Sequence, residues 1–342
     1  MILKNDIRFC VAPMMDWTDR HCRYFHRLLS HKARLYTEML TSGAVKYGDR
    51  ARLMSFDAFE SPVAFQIGGS NPGELAEVTK IIEAFGYCEI NLNVGCPSDR
   101  VQNGSFGACL MQNPKLVADC VKAMKDATSL PITVKCRIGV DEQDPNIALF
   151  DLAEHCIEAN VDALFVHARK AWLKGLSPKE NRDIPPLDYS IVYELKRHFP
   201  DTLIAINGGL TTIDQIHEQL SHVDGVMVGR AAYHHPELLM QVDAALFGLD
   251  DRNETDFDII ELLIPYIERE LSRGEKLSNM TRHIIGLFAG QPGARLFRQN
   301  LSLECTKKDA GVETLLNAVK RVREAKIRIE ETAALNTKQL IA

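Results

Sequence analysis

The chain has no apolar run of about 18 residues, so no membrane-crossing helix is expected. Its first residues, Met-Ile-Leu-Lys-Asn-Asp, contain no long apolar stretch of the signal-peptide kind. The nine cysteines are odd in number and no Cys-x-x-Cys occurs. That argues against a disulfide framework and against a zinc site, so no metal is expected and a reducing cytoplasm is the simple inference. No internal repeat or low-complexity tract is present. Net positive charge is also missing: the formal charge is −6, not that of a general polyanion binder. The average conceals an asymmetry. Residues 259–342 carry 14 basic and 10 acidic side chains, a net +4, while residues 1–258 carry a net −10. Such a split between segments hints at nucleic-acid or membrane contact.

What is present is an ordinary globular composition, 46% hydrophobic and 25% charged, over 342 residues. That length suits two domains, or one large barrel with an appendage. Short apolar, β-branched runs predict strands at 8–14, 34–40, 62–68, 88–93, 132–137, 163–168, 202–207 and 225–229. Leu203-Ile204-Ala205-Ile206 and Val226-Met227-Val228 are continuous apolar runs, the mark of strands buried on both faces of a parallel sheet. Helix-period patterns fill the gaps at 72–85, 114–127, 147–160, 188–198 and 213–220. Pro72 and Pro114 stand where a first helical turn tolerates proline. Strands and helices in one alternating series predict a TIM-type (β/α)8 barrel, with an open doubly wound sheet as the alternative. After Phe247 the polar, acidic segment 248–258 reads as a linker. Only helical patterns follow, at 259–273, 280–288, 293–303 and 313–335. The expected organisation is a barrel over 1–247 and a small all-helical C-terminal domain over 259–342.

Barrels of this kind place their chemistry at the C-terminal ends of the strands. Nearly every predicted strand delivers a polar group or a glycine there, although separate strand-end turns would look similar. Asn207-Gly208-Gly209 and Gly229-Arg230 end the last two strands. Glycines let backbone N–H groups approach an anion, and the loops after the seventh and eighth strands are a frequent phosphate site. Lys135 sits mid-strand and either snorkels outward or faces the interior, where its charge needs an anionic partner. Gln66 and His167 are polar groups on the same rim, each of which could instead be satisfied by the protein itself. The most distinctive segment runs from Cys96-Pro97-Ser98 to Gly107-Ala108-Cys109-Leu110-Met111, through residues 99–103. A cysteine opening a glycine-containing loop after the fourth strand stays largely a thiol at neutral pH, so it suits a general acid. The other eight cysteines fall mainly in apolar patterns and read as small core residues.

Together these motifs resemble the tRNA-dihydrouridine synthases. The resemblance rests on Ala12-Pro13-Met14-Met15-Asp16-Trp17-Thr18-Asp19, Asn93-Val94-Gly95-Cys96-Pro97 with Gly107-Ala108-Cys109-Leu110-Met111, and Lys135. It extends to His167-Ala168-Arg169, Asn207-Gly208-Gly209 and Val228-Gly229-Arg230. It covers essentially the whole chain and is closest to the A-type subfamily, through residues 17–23, 280–283 and 290–295. One minor departure is Phe297, where the subfamily often has tryptophan.

The resemblance implies an FMN-dependent enzyme that reduces uridine to 5,6-dihydrouridine at positions 20 and 20a of the tRNA D-loop, with NADPH restoring the flavin. It assigns Pro13, Met14, Met15, Gln66, Lys135, His167, Asn207, Gly208, Gly209, Gly229 and Arg230 to FMN. Hydride would reach uracil C6 from reduced FMN, and Cys96 would give the proton to C5. Asn93 would sit beside the uracil. Lys170, Lys174, Arg182, Arg282, Arg295 and Arg298 are the expected tRNA contacts, and a monomer is expected. An FMN barrel acting on a free small pyrimidine is the alternative, and it would not need a basic helical domain. A non-catalytic RNA-binding protein that kept the barrel is a second.

Overall fold

The computed structural model describes residues 2–98 and 104–341, with the backbone alone for 330 and 332–341; residues 99–103 of the cysteine loop lie outside the described residues. Eight strands form one sheet: β1 (Phe9–Val11), β2 (Leu35–Thr41), β3 (Val63–Gly68), β4 (Glu89–Val94), β5 (Ile132–Arg137), β6 (Ala163–His167), β7 (Ile204–Asn207) and β8 (Gly225–Val228). All neighbours are parallel and sequential, and β1 pairs with β8. The remaining seam is bridged: Val11 N–H donates to the Arg34 carbonyl at 2.9 Å, and Arg34 N–H to that of Phe9 at 3.0 Å. The sheet therefore closes on itself, which excludes the open doubly wound alternative. Every expected strand is found, with ends shifted by a few residues.

Strand side chains alternate between two environments, as the pleat requires. Ile90, Leu92, Val94, Val134 and Val166 face outward and pack in the large core shared with the surrounding helices. Cys10, Tyr36, Ala64, Phe165, Ala205 and Met227 form a separate inner cluster. The same inward series includes Glu89, Asn91 and Asn93 of β4, which are all buried. Polar residues inside a barrel are costly unless bonded, and these are bonded, as described below.

The short helix Lys4–Ile7 closes the N-terminal end of the barrel. Helices α1 (Arg20–Leu29), α2 (Pro72–Ala84), α3 (Pro114–Lys125), α4 (Pro145–Glu158), α5 (Ser190–His198), α6 (Ile213–Leu220) and α7 (Glu237–Phe247) surround the barrel. Asn71 and Asn113 cap α2 and α3, and Pro72 and Pro114 open them. Helix α1 departs from the expected pattern because its buried face includes His21, Arg23, His26 and Arg27. Arg23 bonds Glu60 at 2.8 Å, and Arg27 donates to three backbone carbonyls.

Beyond the barrel lie α8 (Asp256–Ser272), α9 (Ala294–Leu303) and α10 (Val312–Ile341). A capping box between Thr255 and Asp258 starts α8 inside the expected linker. Helix α8 docks on α1 through Tyr266, whose hydroxyl lies 2.7 Å from His21 Nδ1, and through an Arg20–Glu270 pair at 2.6 Å. The expected helix over 280–288 is not formed. A short helix, Leu277–Thr281, is followed by turns in which Phe288 takes a φ of +59°. Arg282 and His283 turn back to Asp19, and both pair with its carboxylate. Burial alone would raise Asp19, but the His283 contact and the Cys22 N–H hold it below the usual carboxylate range.

Gly225 marks where the N-terminal plug meets β8. A Cβ there would stand 2.0 Å from the Ile7 carbonyl oxygen, a backbone atom with no room to yield. Gly225→Ala is expected to destabilise the chain by about 1–3 kcal/mol, the usual range for overpacking, measured as a lowered midpoint in urea unfolding. An unchanged midpoint would contradict the tight plug.

Candidate active site

A cleft of about 750 Å³ opens at the C-terminal ends of the strands, within the size range of small-molecule sites. The structure brings Pro13, Met14, Met15, Gln66, Asn93, Cys96, Lys135, His167, Arg182, Asn207, Gly208, Gly209, Gly229 and Arg230 to its walls. Barrel register explains the convergence. Asn93 is level with Lys135, and one step higher Arg137, His167 and Asn207 are level with one another across β5, β6 and β7. A shallower depression of about 560 Å³ near Asp243, Asp250, Asp251, Glu254 and Asp258 is lined by carboxylates. Its charge would repel an anion.

Cys96 stands on a tight turn held from several sides. The Asn93 Oδ1 accepts from Gly95 N at 3.1 Å and Cys96 N at 2.9 Å. Arg137 Nε donates to the Gly95 carbonyl at 3.2 Å, and Ala108 N donates to the Cys96 carbonyl at 2.9 Å. The thiol itself is half-buried and lies 3.5 Å from the Ser98 hydroxyl. The turn is therefore fixed, and Cys96 lines the cleft. Of the other cysteines, Cys88 and Cys109 are partly exposed, and the remaining six are buried as expected.

The cleft is electropositive. Lys135 is pushed down to about 8 by loss of solvation first and by the Arg137 charge second. Among the described residues, the groups acting on it are Arg137 and the thiols of Cys136 and Cys96, with no carboxylate among them. Burial pushes Arg137 down to about 10, which leaves it charged at neutral pH. Burial, followed by the charges of Arg137 and Lys135, holds His167 well below its ordinary value, so its ring is neutral there. The Asn207 amide donates to the Met227 carbonyl at 2.6 Å, and the Tyr189 hydroxyl to that of Gly208 at 2.6 Å. The Asn-Gly-Gly turn passes through the left-handed region, with φ +121° at Gly208 and +75° at Gly209, where a Cβ on Gly209 would lie 2.6 Å from Leu187. Gly229 begins a helix of only five residues, and Arg230 is paired with Asp183 at 2.7 Å. An anion seated there would compete with Asp183 for Arg230.

The remaining expected contacts lie elsewhere. Lys170 sits over Trp172, 5.7 Å from the ring centre, and Lys174 is exposed on the same loop. Arg295 and Arg298 are exposed on α9, while Arg282 is engaged by Asp19. Two features were not assigned from the sequence. Arg137 is buried and ties the Cys96 turn to Asn181 through the Asn181 carbonyl at 2.9 Å. The alternation Lys135-x-Arg137 was the available signal, because both residues share the inward face. Trp17 also lines the cleft and stacks on Tyr233 with centroids 4.6 Å apart; nothing local in the sequence announces that pairing.

A closed parallel barrel that sets a fixed thiol and an ammonium with no carboxylate partner among the described residues in one strand-end cleft is a β/α-barrel enzyme scaffold for an anionic ligand. Comparison with known proteins narrows this. The model of the family described as "Dihydrouridine synthase (Dus)" matches residues 10–325. The chain is 54% identical over 318 residues to the tRNA-dihydrouridine(20/20a) synthase of Salmonella typhimurium, covering 93% of this chain and 96% of that one. The protein of the same name from Escherichia coli K12 is 54% identical over 318 residues, with 93% and 92% covered. The one from Xanthomonas campestris is 53% identical over 325 residues, with 95% and 96% covered. The chain belongs to the dihydrouridine synthase family. Among the described residues, no group of three or more His, Cys, Asp or Glu side chains is placed to hold a metal ion, and no helix is long and apolar enough to cross a membrane.

The Lys135 environment sets a measurable expectation. In ligand-free protein carrying 13C-labelled lysine, one ammonium should titrate at about 8, and its signal should be absent from Lys135→Met. If every lysine titrated above about 10, the ordinary range, the cleft would not be the cationic site described.

Proposed function

We propose that this chain is a flavoprotein oxidoreductase that reduces uridine to 5,6-dihydrouridine at positions 20 and 20a of the tRNA D-loop, with FMN as bound cofactor and NADPH as reductant. The observation that carries the reading is the combination of Cys96, on its clamped turn, with Lys135, a cation with no carboxylate partner among the described residues, in one cleft. Family membership and relatives named for a tRNA substrate support an RNA-borne uridine over a free pyrimidine.

The donor set fits a flavin phosphate and ring. Pro13, Met14 and Met15 offer an apolar wall, and Gln66, Lys135, His167, Asn207, Gly208, Gly209, Gly229 and Arg230 offer polar groups or close backbone approach. When bound, FMN supplies the hydride that the uracil ring takes up at C6, and NADPH restores it. Lys135 balances negative charge in the cleft, and neutral His167 offers a hydrogen bond without adding charge. Cys96 gives its proton to C5 of the ring, and Asn93, which positions that thiol, lies beside the same ring. The target uridine must leave its stack to reach the cleft, and the phosphate backbone around it needs cations. Arg182 at the rim, Lys170 and Lys174 beside it, and Arg295 and Arg298 on α9 supply them. Arg282 serves that surface while anchored by Asp19. Residues 1–247 act as the catalytic unit and the net-positive residues 259–342 as the RNA-facing one. Nine unpaired thiols suit a reducing cytoplasm.

Cys96→Ala should lower dihydrouridine formation by about 100-fold or more, the usual range for a lost general acid, with NADPH-driven FMN reduction retained. Mass spectrometry of the tRNA checks this, and undiminished dihydrouridine would remove Cys96 from its role. A second expectation concerns pH. Lys135 is charged below about 8 and neutral above it, so FMN affinity should fall by up to about tenfold between pH 7 and pH 9. Fluorescence titration of the flavin-free chain reads this, and Lys135→Met should abolish the slope. A slope that persists in Lys135→Met would contradict the assignment.

A further inference from the structure

A chain of buried polar side chains runs along the barrel axis from the floor to the Cys96 turn. At the floor, Glu89 is fully buried and paired with Arg34 at 2.7 Å. Its carboxylate also accepts from the Tyr36 hydroxyl at 2.7 Å and the Thr133 hydroxyl at 2.5 Å. Asn91 Nδ2 donates to Thr133 Oγ1 at 2.8 Å, and Gln66 Nε2 donates to Asn91 Oδ1 at 2.8 Å. Asn93 Nδ2 donates to Gln66 Oε1 at 3.0 Å. At the top, Asn93 Oδ1 receives the N–H groups of Gly95 and Cys96.

The polarity of this column is determined at both ends. A carboxylate paired with arginine only accepts, so it takes the single Thr133 hydroxyl proton. Thr133 then has only lone pairs to offer Asn91, which must present its NH2 group. That turns the Asn91 oxygen towards Gln66, the Gln66 oxygen towards Asn93, and the Asn93 oxygen towards the two backbone N–H groups. Reversing any amide would set donor against donor or oxygen against oxygen in a buried site, where unmade bonds are costly.

We propose that Glu89, Thr133 and Asn91 are positioning residues for the proton donor: through Gln66 and Asn93 they fix the turn that presents the Cys96 thiol. The inference rests on the reading of Cys96 as the acid. It gives a purpose to a charged floor far along the strands from the cleft, and it makes Gln66 as much a link in the protein as a wall of the pocket.

The test compares Thr133→Val, which keeps the side-chain shape and removes the hydroxyl, with Thr133→Ser, which loses the methyl and keeps the column. The full chain is loaded with FMN. Three rates are measured: NADPH-driven flavin reduction, tRNA-driven flavin reoxidation without oxygen, and peptide-resolved alkylation of Cys96 by iodoacetamide relative to Cys109. Thr133→Val should slow reoxidation by about tenfold and raise relative Cys96 labelling by several-fold. Flavin reduction should change by less than about twofold, and Thr133→Ser should resemble the wild type in all three rates. Wild-type reoxidation and labelling in Thr133→Val would overturn the proposal, and so would a Thr133→Ser defect equal to that of Thr133→Val, which would mark a packing effect. If Thr133→Val does not fold, Thr133→Ala is set against Thr133→Ser on the same criteria. If the wild type shows no tRNA-driven reoxidation, the proposed function fails, and the labelling comparison alone decides the column.

Discussion

A lysine ammonium held in the cleft with no carboxylate partner among the described residues is the constraint on which the rest of the site depends. Folding brings Lys135 inward on β5 beside Arg137, and among the described residues neither has an acidic partner in the cleft. Such a site is unfavourable when empty, because burial penalises the charged form. The surroundings limit the penalty: His167 stays neutral and adds no further charge. An anionic ligand removes the penalty, so binding it and stabilising this corner of the barrel are the same event.

The second constraint is rigidity around Cys96. In the role proposed for it, the thiol gives a proton to carbon and has to be aimed, and aiming costs entropy unless the scaffold supplies it in advance. Here the surrounding backbone is held by Asn93, Arg137 and Ala108, which come from a strand interior, a neighbouring strand and the far side of the loop. Barrel closure at the Val11–Arg34 seam also bears on this, because Arg34 is both a seam residue and the partner of Glu89 at the floor.

Much of this was legible in the sequence where burial is apolar. The runs around Ile204 and Val226 announce doubly buried strands, and Pro72 and Pro114 announce helix starts. Helix α1 was not legible, because its inward face is built from His21, Arg23, His26 and Arg27. Charge reads as surface unless the distant partners, Glu60 and Tyr266, are known. The segment after Thr281 misleads in the opposite sense: it keeps a helical pattern, yet Arg282 and His283 are drawn to Asp19 and the chain turns at Phe288. For the site, motifs at strand ends identified the residues lining the cleft. What they could not convey was connectivity: that Gln66 and Asn93 are already engaged with each other, that Arg230 is engaged by Asp183, and that Arg137 holds the Cys96 turn. Those contacts join residues far apart in sequence, and only the closed barrel sets them side by side.

The central claim is that the cationic cleft is a flavin site. Native mass spectrometry of the purified full chain tests it most directly. The account predicts a complex heavier than the chain by one flavin mononucleotide, formed on purification or on adding the nucleotide, and weakened about tenfold in Lys135→Met at pH 7. A chain that neither carries nor takes up flavin mononucleotide would contradict it.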